Sequence, residues 1–170
     1  TLKPQGIPVH FSFIDIDLDK VTLPPGVTRS TEGTLKYFMT DFKAELEFKN
    51  VEKFPLISFN RNFAAPIHVD YNYRDSDLAA IAMKETDVFN AWQAMQSLWE
   101  RAILDYSQEK INLICDVLTS VLTKSELNYG LAAEMMDIPS DHDINSDLLH
   151  YQLDLVHENR NLLIAEVTQH

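Results

Sequence analysis

Cysteine is almost absent from this sequence, with one residue, Cys115, among 170. A lone thiol cannot form a disulfide within the chain, which fits a reducing compartment and predicts a cytoplasmic location. Cys115 lies inside the apolar run 111–115, and no base that would activate it is evident nearby. We therefore interpret it as a buried structural residue rather than a catalytic thiol.

Glycine is also scarce, at four residues. A phosphate-binding loop and the Gly-x-Ser-x-Gly elbow of serine hydrolases both need clustered glycines, and neither pattern occurs. Long apolar runs are missing too, because none approaches the ~20 residues of a membrane span and no signal peptide opens the chain. The first residue is Thr1 rather than methionine, which is compatible with a piece of a longer protein.

Positive charge is in deficit, with 14 Lys and Arg against 26 Asp and Glu. The first 73 residues are nearly balanced, at 8 basic against 9 acidic, whereas residues 74–170 carry 6 against 17. Phosphates would be repelled by the acidic half, so we expect no nucleic-acid partner and no anionic membrane surface. A solvated acidic face that aids solubility is the preferred interpretation.

The first half of the chain has the pattern of β-strands. Apolar residues alternate with polar ones, or run continuously between turn residues, at 9–14, 35–39, 44–49, 54–59 and 67–73. This predicts four or five antiparallel strands, fewer than the roughly seven of a complete β-sandwich.

The second half has helical periodicity. Asp75, Ser76 and Asp77 can cap a first helix, and Thr86, followed by Asp87, can cap a second. One apolar stripe then repeats every three or four residues: Phe89, Trp92, Met95, Trp99, Ala102, Ile103, Tyr106. Trp92 is expected to be buried on it. Further helices are predicted over 111–122, 127–136 and 156–167, with a short one capped by Ser140.

The predicted fold class is α+β. A partial antiparallel β-sandwich would occupy residues 1–74, and an all-helical bundle or solenoid-like segment would occupy residues 75–170.

Two acidic stretches imitate calcium loops without completing the pattern. After Asp15, Asp17 and Asp19, the places for the turn glycine and the bidentate glutamate hold Lys20 and Gly26. In 141–152 the same two places hold serine and glutamine. Three histidines lie too far apart along the chain to share a metal on one helix: His142, His150, His157. We predict no metal site in this sequence.

Several short motifs, in order, carry a family resemblance. They are Phe-Ala-Ala-Pro at 63–66, Tyr71-x-Tyr73, the run Phe89-x-x-Trp92-Gln93-Ala94-x-Gln96, Leu-Ala-Ala-Glu at 131–134 and Ile-Pro-Ser at 138–140. Together, from roughly Pro8 to the end, they resemble bacterial-type aminopeptidase N, a zinc exopeptidase of the gluzincin family. In that family the first motif precedes the last strand of a third-domain β-sandwich, and the tryptophan run opens the C-terminal helical domain. Gln93 departs from an acidic preference, and His157-Glu158 from a frequent Asp-Pro.

The family's chemical motifs are missing from this chain. Zinc is held by His-Glu-x-x-His, with a Gly-x-Met-Glu-Asn loop upstream, and the nearest string here runs from His157 to Asn161, an asparagine where the second histidine should stand. The resemblance therefore implies a non-catalytic segment that supports and covers the active-site cleft of a zinc aminopeptidase. It implies no catalytic, cofactor-binding or metal residue in this chain, and zinc in the catalytic domain of the parent.

The partners implied are the remaining domains of the parent chain and, for the parent, peptide substrates. Self-association through the incomplete β half is also expected, with six apolar residues forming the uncovered face: Phe11, Phe13, Leu46, Phe48, Val69, Tyr71. The alternative is a free-standing α/β protein-interaction module with an acidic helical face.

Overall fold

A computed structural model describes residues 6–124, 128–140, 144 and 150–169, with the backbone only at 150–153. Within those residues the elements follow in the order β1 (Ile7–Ile14), β2 (Val27–Arg29), β3 (Leu35–Met39), β4 (Leu56–Phe59), a 3-10 turn (Arg61–Phe63), α1 (Asp75–Lys84), α2 (Val88–Leu104), α3 (Gln108–Leu122), α4 (Tyr129–Met136) and α5 (His150–Val167). The predicted α+β class is confirmed.

The chain forms two compact units. The β unit comprises the chain up to Asn72 together with Lys84–Asn90, and the helical unit comprises Tyr73–Met83 and the chain from Ala91 onward. Lys84–Asn90, which we call the connector, links α1 to α2 along the chain and belongs to the β unit. The boundary between residues 74 and 75 stays a prediction.

The β unit contains an antiparallel sheet in the order β2-β3-β1-β4. β1 is central, and its Phe11 lies opposite both Leu35 of β3 and Phe59 of β4, while Phe13 lies opposite Ile57. Since alternate residues of a strand point to opposite faces, these side chains build one apolar face. The residues between them face the other side.

Two irregular segments cover the apolar face. Leu18 and Val21 come from the first, and Leu46 and Phe48 from the second. The ring of Phe48 lies 5.0 Å from that of Phe13. Leu46 and Phe48 thus pack onto the phenylalanines of β1 instead of sharing an uncovered face with them.

Two of the predicted strands do not form ladders. Residues 44–49 contribute only one bridge, in which Thr22 and Lys49 exchange hydrogen bonds of 2.9 and 3.2 Å. Residues 67–73 form no strand, although the ring of Tyr71 lies 5.4 Å from that of Phe59. Alternation in these stretches reflects half-burial of one side, which a chain lying on a sheet shares with a strand.

In the helical unit the buried face of α2 centres on Met95, Leu98 and Trp99, each fully buried. α3 buries Ile111, Ile114, Val117 and Val121. The apolar stripe of α2 therefore exists, but Trp92 is only half-buried on its margin.

Capping follows the expected chemistry with one shift in position. α2 is capped by Asp87, whose Oδ1 accepts from the amide of Asn90 at 2.9 Å, and not by Thr86. At α1 the backbone and side chain of Arg74 donate to Asp77. These bonds hold the pKa of Asp77 below its usual value, against the opposing effect of partial burial.

Among the described residues, no helix is long and apolar enough to cross a membrane. The short helix predicted after Ser140 falls largely on residues outside the described part of the chain, as does the acidic stretch at 141–147.

Trp99→Ala should lower the free energy of unfolding by about 3–5 kcal/mol, because it empties a fully buried site. It also removes the hydrogen bond from the indole Nε1 to the Met135 carbonyl, at 2.9 Å. The matched control is Trp92→Ala, which should cost only about 1–2 kcal/mol since less apolar area returns to water. Urea unfolding measures the stability of both variants. A larger loss of stability for Trp92→Ala than for Trp99→Ala would contradict the burial of Trp99 described above.

Candidate functional site

The polar face of the sheet carries a cluster of side chains that is buried although every member is polar or charged. Each member is at most 8% exposed: Ser12, Thr34, Ser58, Arg61, Glu85, Asp87, Asn90. We call this set the buried polar cluster. It lies wholly within the β unit.

Arg61 and Glu85 form the centre of the cluster. The Arg61 Nη2 lies 3.1 Å from the Glu85 Oε1, and the two side chains are 4% and 2% exposed. Arg61 donates also to the hydroxyls of Thr34 at 3.0 Å and Thr86 at 2.6 Å. A buried ion pair is stable only when neighbouring groups satisfy most of its remaining donors and acceptors. These hydroxyls do so for the two Nη atoms of Arg61, while its Nε is buried with no hydrogen-bond partner among the described residues.

The carboxylate of Glu85 also organises the connector. Its Oε1 accepts from the amides of Thr86 and Asp87, at 2.6 and 3.0 Å, and its Oε2 accepts from the hydroxyl of Ser12 at 3.1 Å. One side chain thus joins the central strand to the turn that starts α2. Charge-assisted bonds of this kind are stronger than neutral ones.

A second set of bonds attaches the connector to β4. Asn90 donates to the Ser58 hydroxyl and to the Phe59 carbonyl, both at 2.8 Å. Asp87 accepts from the amide of Asn62 at 2.8 Å. Ser12 and Ser58 lie opposite each other on β1 and β4. Ser12 bonds Glu85 near the start of the connector, and Ser58 bonds Asn90 at its end.

The turn after β4, which carries Arg61 of the cluster, has an unusual backbone conformation. Asn60, Asn62 and Phe63 all have positive φ, a region that asparagine tolerates better than other residues with side chains. The Asn60 amide group closes the turn by exchanging hydrogen bonds with the backbone of Ala65, at 3.1 and 3.2 Å. The Phe-Ala-Ala-Pro motif therefore belongs to this turn.

His10 lies on the same sheet face as Ser12, two residues away. Partial burial and the nearby charge of Lys36 lower its pKa, so the neutral imidazole is favoured. Its Nδ1 is buried and has no hydrogen-bond partner within the part of the chain that the structure describes. No reactive Ser–His pair results, because the Ser12 hydroxyl donates to Glu85.

In the helical unit two motifs meet. Gln96, the last residue of the tryptophan run, donates to the carbonyls of Asp137 at 3.1 Å and Glu134 at 3.4 Å. Arg160 of α5 donates to the carbonyl of Pro139 at 2.8 Å. These side chains bind carbonyls at the end of α4 and just beyond it, where a helix leaves carbonyls without intrahelical partners. The Glu134 carbonyl also accepts from the Asp137 amide at 3.3 Å.

An open groove of about 690 Å³ lies beside these contacts, within the helical unit. Twelve residues line it: Trp92, Gln93, Gln96, Ser97, Glu100, Glu134, Asp137, Ile138, Pro139, Ser140, Ile144, Arg160. Its size is typical of ligand sites.

The described residues contain no group of three His, Cys, Asp or Glu side chains that could hold a metal ion. Of the first acidic stretch, Asp17 pairs with Lys20 and Asp19 with Arg29. His157 is exposed, and Cys115 is half-buried, with the pKa of its thiol raised by burial and by Asp116. The side chains of the second calcium-loop imitation, apart from Ile144, and those of His142 and His150 lie outside the described part of the chain.

Sequence reasoning missed the buried polar cluster. A signal was available in the two Phe-Ser-Phe-like strands, where Ser12 and Ser58 interrupt apolar residues. Glu85 was not recognised because it lies 24 positions from Arg61, beyond any local pattern.

Glu85→Gln should lower the free energy of unfolding by about 3–5 kcal/mol, since it leaves the Arg61 charge buried and unpaired. The matched control is Glu45→Gln, the same substitution in an ion pair with Lys43 whose side chains are 82% and 80% exposed. It should cost about 0–1 kcal/mol. Chemical denaturation measures the free energy of unfolding of both variants. An equally small loss of stability in the two would show that the buried polar cluster does not stabilise the fold.

Three comparisons place these features among known proteins. Residues 75–170 match the model of a family described as "Domain of unknown function (DUF3458_C) ARM repeats". Aminopeptidase N of Caulobacter vibrioides is 25% identical over 69% of this chain and 14% of its own length. A crystal structure of Legionella pneumophila aminopeptidase A in complex with aspartic acid superposes with a TM-score of 0.69 at 20% identity, over 97% of this chain and 19% of that protein.

The chain thus spans about a seventh to a fifth of these relatives. Its similarity to the solved structure shows a shared fold, and armadillo-type repeats agree with a solenoid-like helical segment. The resemblance to bacterial-type aminopeptidase N is confirmed, and the chain belongs to the DUF3458_C family, whose model covers more than half of it.

Proposed function

We propose that this chain is a non-catalytic segment of a zinc metallo-aminopeptidase that removes N-terminal amino acids from peptides. In this proposal it supports the fold and covers the active-site cleft, and its partners are the remaining domains of the parent chain. The similarity to two aminopeptidases supports it, as does the small share of each that the chain spans.

The observation that carries the proposal is that the motif residues form contacts within the chain. Gln96 of the tryptophan run donates to the Asp137 carbonyl. The carbonyls of Pro139 and Ala65, in two other motifs, accept from Arg160 and Asn60. Phe63 and Phe89, from two different motifs, stack edge to face at 5.5 Å. Motif residues that form internal structural contacts are what a supporting segment requires, whereas a catalytic site would direct them at a substrate.

The donor set of this chain does not fit zinc. His157 has Asn161 one helical turn later, and no cluster of three potential ligands occurs among the described residues. In the proposal, zinc and the groups that bind peptide substrates lie in the catalytic domain of the parent. The acidic helical half and the lone cysteine favour a cytoplasmic protein that binds neither nucleic acid nor membranes.

Purified, the chain should bind less than a tenth of a zinc ion per molecule, as an order-of-magnitude expectation, and should hydrolyse no aminoacyl anilide. Metal analysis and an anilide assay check this, and the gene sequence upstream of Thr1 should encode His-Glu-x-x-His. Stoichiometric zinc, or turnover abolished by a chelator, would refute a non-catalytic segment. An upstream sequence without the zinc motif would refute the aminopeptidase parent.

Self-association through the β unit belongs to the same proposal. Phe42 and Phe54 are 84% and 89% exposed, an apolar surface that other domains would cover. The isolated chain should self-associate as its concentration rises, and the double variant Phe42→Ser, Phe54→Ser should self-associate less. The control is the double variant Glu45→Ser, Lys53→Ser, which leaves the net charge unchanged. Sedimentation velocity measures all three, and a strictly monomeric chain at high concentration would contradict the proposal.

A further inference from the structure

The groove of the helical unit combines an aromatic wall with excess negative charge. Three carboxylates and one guanidinium line it: Glu100, Glu134, Asp137, Arg160. Arg160 is engaged with the backbone, since it donates to the carbonyls of Pro139 and Ile138. The formal charge of the lining side chains is therefore −2, and the guanidinium of Arg160 is already bonded to two carbonyls.

The three carboxylates are available to a ligand. None forms a salt bridge within the described residues, and Glu134 and Asp137 are exposed while Glu100 is half-buried. Both exposed carboxylates lie at the C-terminal end of α4, where the helix dipole already favours a cation. The partial charge at the end of the helix and the charges of the two carboxylates are thus both negative at this wall.

The opposite wall is a regular row on α2. Trp92, Gln96 and Glu100 follow at intervals of four residues, so they lie on one face of the helix, about 12 Å from end to end. Gln96 is fixed by its bonds to the facing wall, which keeps the row in place. Trp92 is half-buried and lines the groove at the end opposite Glu100.

We infer that this groove binds a peptide segment bearing arginine or lysine side chains. A cationic group can lie against the Trp92 ring by cation–π attraction, and a second one, two residues away, can pair with Glu100 or Glu134. Charge complementarity selects this occupant, because an acidic segment would meet three carboxylates. The inference does not depend on the aminopeptidase proposal.

The binding test uses the full chain and a capped peptide, Arg-Gly-Arg, with Glu-Gly-Glu and Gln-Gly-Gln as comparison probes. Titration followed by NMR chemical shifts, including the Trp92 indole signal, should show binding of the arginine peptide only. Binding should weaken with salt. Equal binding of the acidic or neutral peptide, or no binding at millimolar concentration, would overturn the inference.

Variants locate the site. The double variant Glu100→Gln, Glu134→Gln should bind the arginine peptide about fivefold or more weakly than the unaltered chain. Trp92→Leu should lower the affinity about threefold, and Trp92→Phe should lower it less. The matched control, Glu109→Gln with Asp116→Asn, removes two exposed charges from α3 outside the groove and should change affinity less than about twofold. A control loss as large as the groove loss would show non-specific attraction and overturn the site. The zinc and anilide assays are unaffected by either result, so the two proposals fail separately.

Discussion

The buried ion pair between Arg61 and Glu85 is the constraint on which the β unit depends. Removing a guanidinium and a carboxylate from water costs several kcal/mol for each group, so such a pair is stable only where neighbouring groups form hydrogen bonds with it. Hydroxyls of Thr34 and Thr86 accept from the guanidinium, while Ser12 and two connector amides donate to the carboxylate. The sequence of the connector is thereby tied to residues on β1, on the turn after β4 and just before β3.

The sheet has one apolar face and one polar face. Phe11 and Phe13 point to a face covered by apolar side chains, which any segment of suitable hydrophobicity can cover. Ser12 and Ser58 point to the other face, where each partner must match in geometry. The same logic recurs in the helical unit, where Gln96 and Trp99 bind the carbonyls at the end of α4. Polar side chains in both units thus fix backbone positions through hydrogen bonds.

Local pattern predicted the parts of the fold that depend on local forces. Strand 35–39 and the starts of α1 and α2 follow from alternation and capping, within a residue or two. Alternation failed at 44–49 and 67–73 because it reports half-burial, and only tertiary structure supplies a pairing partner. The groove and the Arg61–Glu85 pair were beyond prediction for a related reason. Both unite residues that are distant in sequence, and their contacts exist only after the chain has folded.

If this chain is a supporting segment, its buried polar cluster must act as a cooperative unit, and a double-mutant cycle on Arg61→Met and Glu85→Leu measures this most directly. Each single change strands a buried charge, whereas the double change removes both charges. The double variant should therefore be more stable than the sum of the single losses predicts, by about 2 kcal/mol or more. Single losses that add to within about 0.5 kcal/mol would show that the two residues act independently, and would contradict the account.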